Sequence, residues 1–203
     1  MTDTLAVASS ICVYCGSSPG TDPSYIKAAR ALGRSIGEAD RRLVYGGGDR
    51  GIMGAVAEAT RTHGGNVTGI IPEFLIKKER PDLARSTMDM PDDHYDELIV
   101  TQDMHERKTL LAEKSDAFVA MPGGVGTLEE LVEIMTWNQL GLQNKPIILG
   151  NINGFWDRFI DLIDQMKEAG FVHTANKINL ISVSDPLEIE VAIEAEVGRL
   201  TAA

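Results

Sequence analysis

Ala117-Phe118-Val119-Ala120, followed by Met121-Pro122-Gly123-Gly124-Val125-Gly126-Thr127-Leu128-Glu129-Glu130, is an apolar run that meets a glycine turn and then opens a helix. A strand feeding a helix through such a turn builds an anion site. The glycines allow close backbone approach, and the first N–H groups of the helix have no intrahelical acceptor and point at whatever sits before them. Thr127 reads as the helix N-cap with Glu130 three positions on, which is also the pattern of a capping box. Two readings therefore stand side by side: Glu130 returns a hydrogen bond to the cap, or it is a carboxylate held beside an anion site for another task.

Short β-rich runs alternate with helical patterns on either side of this stretch. Strands are predicted at 11–14, 43–45, 67–71, 98–101, 117–121, 146–149 and 178–183, and helices at 24–39, 51–63, 104–114, 127–140, 155–169 and 186–200. The strands are mostly apolar, as strands covered on both faces are. The alternation predicts an α/β fold, a doubly wound, Rossmann-like parallel sheet with helices on both faces. At 203 residues and 43% hydrophobic content, the chain has the size of a single domain, expected over 1–203. One segment, 72–96, breaks the rhythm with prolines, charges and weak periodicity, and reads as a long loop or irregular helix of the kind that serves as a lid or a binding loop.

A formal net charge of −11 argues against nucleic acid and against an anionic membrane surface as partners. No apolar run reaches membrane-spanning length and no signal-like segment opens the chain, so a cytoplasmic location is expected. The two cysteines, Cys12 and Cys15, have CxxC spacing, but Cys12 falls in a predicted strand rather than at a helix N-terminus. The four histidines show no ligand spacing, so no metal site is expected.

In an open parallel sheet, ligands gather beyond the carboxyl ends of the strands. There the sequence places Cys15-Gly16-Ser17-Ser18-Pro19-Gly20, then Tyr45-Gly46-Gly47-Gly48-Asp49-Arg50-Gly51, and then Gln102-Asp103-Met104-His105-Glu106-Arg107-Lys108. The glycine triplet marks either ligand contact or a tight crossover. Asp103 and Glu106 are spaced as N-cap and N3 of a helix. Arg107 and Lys108 then fall at the end of the first turn, where the helix dipole disfavours cations by about 0.3–1 kcal/mol. An anion between this turn and Gly123 would resolve that conflict; so would a solvated pair with Glu106 or Glu113. Neither the P-loop nor the dinucleotide fingerprint is present.

Together, Tyr45 to Gly48, Met104 to Lys108, and Pro122 to Thr127 with Glu130 resemble the LOG ("Lonely Guy") family of cytokinin riboside 5′-monophosphate phosphoribohydrolases. The likeness runs from Cys12-Val13-Tyr14-Cys15-Gly16-Ser17-Ser18 to the strand near Ile178. The resemblance implies hydrolysis of the N-glycosidic bond of AMP or an N6-substituted AMP, giving free base and ribose 5-phosphate, with no cofactor, in a homodimer whose sites lie near the interface. It carries catalytic roles to Arg107 and Glu130. It carries substrate contacts to Ser17, Ser18, Gly47, Gly48, Glu79, Met104, Lys108, Gly123, Gly124, Val125, Gly126, Thr127 and Thr136. Met53, Val125 and Trp137 are candidates for the base pocket or for packing. Two rivals come from other classes: a non-catalytic nucleotide or molybdenum-cofactor carrier, and a PLP-dependent lysine decarboxylase, which would need a Schiff-base lysine.

Overall fold

The computed structural model describes residues 8–79, 96–172 and 180–201. Seven parallel strands form one sheet in the order β4-β3-β2-β1-β5-β6-β7. These are β1 (Ser10–Tyr14), β2 (Arg42–Tyr45), β3 (Asn66–Pro72), β4 (Glu97–Thr101), β5 (Ala117–Ala120), β6 (Ile147–Gly150) and β7 (Leu180–Val183). The chain steps outward from β1 to β4, then returns to the other side of β1 to lay down β5, β6 and β7. That reversal puts the topological switch point between β1 and β5, where the parallel-sheet rule locates ligands.

Alternation along the central strands separates two cores. Ile11, Val13, Leu43, Tyr45 and Val119 point to one face, covered by α1 (Pro23–Glu38), α2 (Gly51–Thr62) and α7 (Ile189–Thr201) through Leu32, Ile36, Val56 and Ile193. Cys12, Tyr14, Val44, Phe118 and Ala120 point to the other, covered by α4 (Met104–Glu113), α5 (Val125–Gln139) and α6 (Asp157–Glu168) through Leu111, Leu131, Ile134 and Ile163. Each buried branched or aromatic side chain contributes about 1.5–3 kcal/mol of hydrophobic free energy, so both faces are needed to hold a sheet this wide. Cys12 and Cys15 are buried on opposite faces. Burial drives both thiols well above their ordinary range, and the nearby Glu130 carboxylate adds to it, which makes them poor thiolates.

Asp22 caps α1, its side chain accepting from the Ser24 amide, and Pro23 occupies the first turn as its fixed φ favours. Part of the segment expected to be loop or irregular helix is a regular helix, α3 (Glu73–Glu79); 80–95 lies outside the described residues. The predicted strand at 178–183 begins outside the described residues and is seen from Leu180 onward. Among the described residues, no helix is long and apolar enough to cross a membrane.

Candidate active site

Two helices deliver the two side chains that matter most. Along α5 the buried positions are Thr127, Glu130, Leu131, Ile134 and Met135, so Glu130 sits on the stripe that faces the sheet. Along α4 they are Arg107, Lys108, Leu111 and Ala112. Asp103 caps α4 by accepting from the amides of His105 and Glu106 at 2.8 and 2.9 Å, while Glu106 accepts from the Gln102 amide at 2.8 Å. The cap fixes where α4 starts, and hence that Arg107 points inward one turn later.

Arg107 is 5% exposed and threads between the ends of β2 and β3. Its Nε donates to the Ile70 carbonyl at 3.1 Å and its Nη2 to the Gly46 carbonyl at 3.2 Å. Gly46 is a glycine for this reason: a Cβ there would fall on the guanidinium. Gly47 follows with φ of 76°, a backbone state that glycine adopts freely, and turns the chain against Ile71. So the first two glycines of the triplet have structural tasks, admitting Arg107 and turning the chain. The cation at the start of a helix is relieved by protein carbonyls and by Glu130, where an external anion was one of the expected remedies.

Glu130 Oε1 lies 3.7 Å from Arg107 Nη2, and both side chains are 7% exposed. At that separation the groups attract but are too far apart for a hydrogen bond. Burial pushes the Glu130 carboxyl up to about 7; Arg107 and Lys108 pull it down, while Glu129 and Glu133 push it higher. The result is a carboxyl poised between its two protonation states near neutrality, the condition a general base or acid requires.

The N-terminus of α5 completes the site. The helix begins at Val125 with Gly124 as N-cap, and among the described residues no side chain caps it. Thr127 is therefore not the N-cap, and Thr127 to Glu130 is not a capping box. The glycines let the backbone enter the helix earlier, and the Thr127 side chain folds back so that a Cβ on Gly123 would strike its Oγ1. The amides at the start of α5 stay open to a ligand. Around them the loops are laced together: Gly16 N donates to Pro122 O at 3.1 Å, and Gly16 O accepts from Ile52 and Met53 at 3.1 and 3.2 Å.

These groups enclose a cleft of about 260 Å³. Arg107, Glu130, Thr127, Gly124 and Gly126 form its polar side, with Ser17 and Gly46; Met53, Leu75 and Met104 form its apolar side. It shares Gly16, Ser17 and Gly124 with a neighbouring hollow of about 310 Å³ that Ser18, Gly123, Tyr25 and Phe155 help to line. A larger hollow, about 710 Å³, lies along the outer sides of α1 and α2 among charges such as Arg34 and Glu38, which pair at 2.8 Å. None of its lining residues comes from the turns after β1, β2 or β5, so its size does not make it the site.

Of the residues expected at the site, Ser17, Ser18, Met104, Arg107, Gly123, Gly124, Gly126, Thr127 and Glu130 converge on the cleft and its neighbour. Gly47 and Gly48 are buried behind it. Val125 is 84% exposed on the outer side of α5. Thr136 lies about two and a half turns beyond Thr127, and its hydroxyl donates to the Val132 carbonyl at 2.7 Å. Trp137 packs against the core that α4, α5 and α6 cover. The Glu79 side chain lies outside the described residues. Lys108 turns away from Glu106 and Glu113 to bind Glu129 at 2.6 Å and Glu133 at 2.9 Å. Leu75 went unrecognised in the sequence because α3 is short and weakly periodic. The signal for Glu129 and Glu133 was present, two acids one helical turn apart opposite a lysine.

Fold and cleft define a class: an α/β protein with a doubly wound parallel sheet and a small-molecule cleft at its switch point. Comparison with known proteins narrows it. Residues 53–193 match the family model described as "possible lysine decarboxylase". The cytokinin riboside 5′-monophosphate phosphoribohydrolase LOG5 of Arabidopsis thaliana is 40% identical over 91% of this chain and 77% of its own length. The rice enzyme LOG (Oryza sativa subsp. japonica) is 41% identical over 92% and 72%. The chain belongs to the LOG family. Among solved structures, the Moco carrier protein of Chlamydomonas reinhardtii shares the fold at a TM-score of 0.66 with 20% identity, covering 94% of this chain and 98% of that one. The molybdenum cofactor binding protein from Rippkaea orientalis aligns at 0.63 with 25% identity, covering 92% and 95%.

Proposed function

We propose that this chain hydrolyses the N-glycosidic bond of adenosine 5′-monophosphate or an N6-substituted derivative, releasing the free base and ribose 5-phosphate. The observation that carries this reading is the buried pair of Arg107 and Glu130, 3.7 Å apart, in one cleft with the uncapped start of α5. The 40% identical relatives named as phosphoribohydrolases support it.

In this reading the 5′-phosphate lies against the amides at the start of α5 beside Ser17 and Ser18. The ribose lies under Glu130, and the base extends toward Met53, Leu75 and Met104. Breaking the C1′–N9 bond builds positive charge on the sugar ring and negative charge on the departing base. The ionised Glu130 carboxylate stabilises the ring cation and takes a proton from the water that adds to C1′, help worth typically ~10²–10⁴ in rate. Arg107 orients the nucleotide and balances charge on the departing base, which leaves with the C1′–N9 electron pair and takes up a proton from solvent, while Glu130 returns its proton to solvent. Binding energy from the phosphate, which does not react, aligns the sugar.

A lysine decarboxylase acting through PLP needs an unprotonated lysine free to form a Schiff base. Beside the cleft, burial alone would lower Lys108, but its bonds to Glu129 and Glu133 outweigh that and hold it above the ordinary lysine range. That is the wrong state for a Schiff base.

The proposed assembly is a homodimer. Val125, Leu128, Val132 and Leu140 form an exposed apolar line along α5, which starts at the cleft and suits a second copy packed against it.

With AMP, the purified protein is expected to release adenine and ribose 5-phosphate without added cofactor, and Glu130→Gln to lose at least ~10²-fold in kcat while staying folded. Release of inorganic phosphate would refute the assignment. Co-purification of a pterin, with no nucleoside monophosphate hydrolysed, would favour the carrier class instead.

A further inference from the structure

We propose that Lys108 is a positioning residue for this reaction: its ammonium clamps Glu129 and Glu133, the carboxylates on either side of Glu130 along α5, and so fixes the aim and the charge surroundings of Glu130 from the neighbouring helix. The inference rests on the hydrolase reading and assigns Lys108 a task other than holding substrate.

The geometry is direct. Lys108 follows Arg107 on α4, Glu129 precedes Glu130 on α5, and Glu133 lies one turn further. Nζ reaches Glu129 Oε1 at 2.6 Å and Glu133 Oε1 at 2.9 Å. The lysine side chain is 10% exposed and Glu133 26%, so this bridge is shielded from solvent on the side nearer the core, while Glu129 is half exposed. Two neighbouring residues on α4 thus meet three carboxylates on α5, and the two helices are pinned at the level of the Arg107–Glu130 pair.

The groups facing Glu130 set the electrostatics. From α4 come Arg107 and Lys108, and from its own helix Glu129 and Glu133. From β1 and the residue after it come Tyr14, Cys12 and Cys15, all driven by burial toward their neutral forms and offering no countercharge. Two cations face three carboxylates. Removing Lys108 leaves Glu129 and Glu133 uncompensated beside Glu130, and a like charge at close range disfavours ionisation by roughly a unit or more.

The test is a ¹³C NMR titration of the glutamate carboxyls, with the Glu130 signal assigned by its loss in E130Q, run beside the pH profile of kcat/KM for AMP. In Lys108→Met the Glu130 midpoint is expected to rise by about one unit, a tenfold drop in its ionised fraction below the midpoint, with the acid limb of kcat/KM moving by the same amount. Lys108→Arg restores both. Glu133→Gln, which keeps the cation and removes one carboxylate, lowers the midpoint and keeps the test open should the methionine variant not fold. An unmoved Glu130 midpoint in both Lys108→Met and Glu133→Gln would overturn the proposal. So would a tenfold rise in KM at every pH with the acid limb unchanged, which would make Lys108 a substrate contact. A shifted midpoint in a protein that hydrolyses no nucleoside monophosphate would sink the hydrolase reading and the catalytic role with it, while supporting the clamp.

Discussion

Glu130 is a carboxylate on the core-facing stripe of a helix, and its burial has a measurable consequence for stability. Its folded value of about 7 lies above the ordinary 4.5. Between those values the folded chain keeps a proton that the unfolded chain has released, so stability falls as pH rises through that window. Glutamine cannot release a proton. Glu130→Gln is therefore expected to gain on the parent by up to about 3 kcal/mol between pH 5 and pH 8. Thermal melts of both proteins check this, with a Tm difference that grows across the interval; a difference independent of pH would mean that Glu130 is ionised throughout. The sequence marked Glu130 as unusual only through its neighbours: a carboxylate beside an anion-binding turn is out of place, but a capping box explained it equally well. What removed the capping box was a backbone detail, the entry into α5 at Val125, which no side-chain pattern encodes when glycines precede the helix.

At the scale of elements, α5 has three tasks on three sides. Its N-terminus offers amides to the cleft, its buried stripe carries Glu130, and its outer line of Val125, Leu128, Val132 and Leu140 is exposed. Val132→Glu is expected to convert a dimer to a monomer and to lower AMP hydrolysis, read by light scattering and by kcat/KM. A fully active monomeric parent would remove the dimer from the account. The glycine loop after β2 was legible as special, but its structural task was not. Three glycines before a helix suggested ligand contact or a tight crossover; Gly46 lines the cleft and is also small because Arg107, from a helix sixty residues later in the chain, must pass over it. Long-range demands of this kind leave no local periodicity.

For the whole molecule, alternation of short apolar runs with amphipathic helices was enough to anticipate a parallel, doubly wound sheet, because both signals are local. Most element ends fell within a residue or two, and helix α1 (Pro23–Glu38) is an example, displaced by one residue from its expected span. Strand order is not local. The switch point between β1 and β5 is what brings the turns after β1, β2 and β5 into one cleft, and the sequence could suggest that convergence only through the general rule for parallel sheets and through family resemblance.

The most direct measurement is a crystal structure of the Glu130→Gln variant soaked with AMP. The 5′-phosphate is expected on the backbone amides at the start of α5, C1′ within about 3–4 Å of the residue 130 side chain, and the Arg107 guanidinium on the leaving side of the glycosidic bond. A nucleotide bound with its phosphate elsewhere, or with its ribose outside the cleft and out of reach of both residues 107 and 130, would contradict the proposed function.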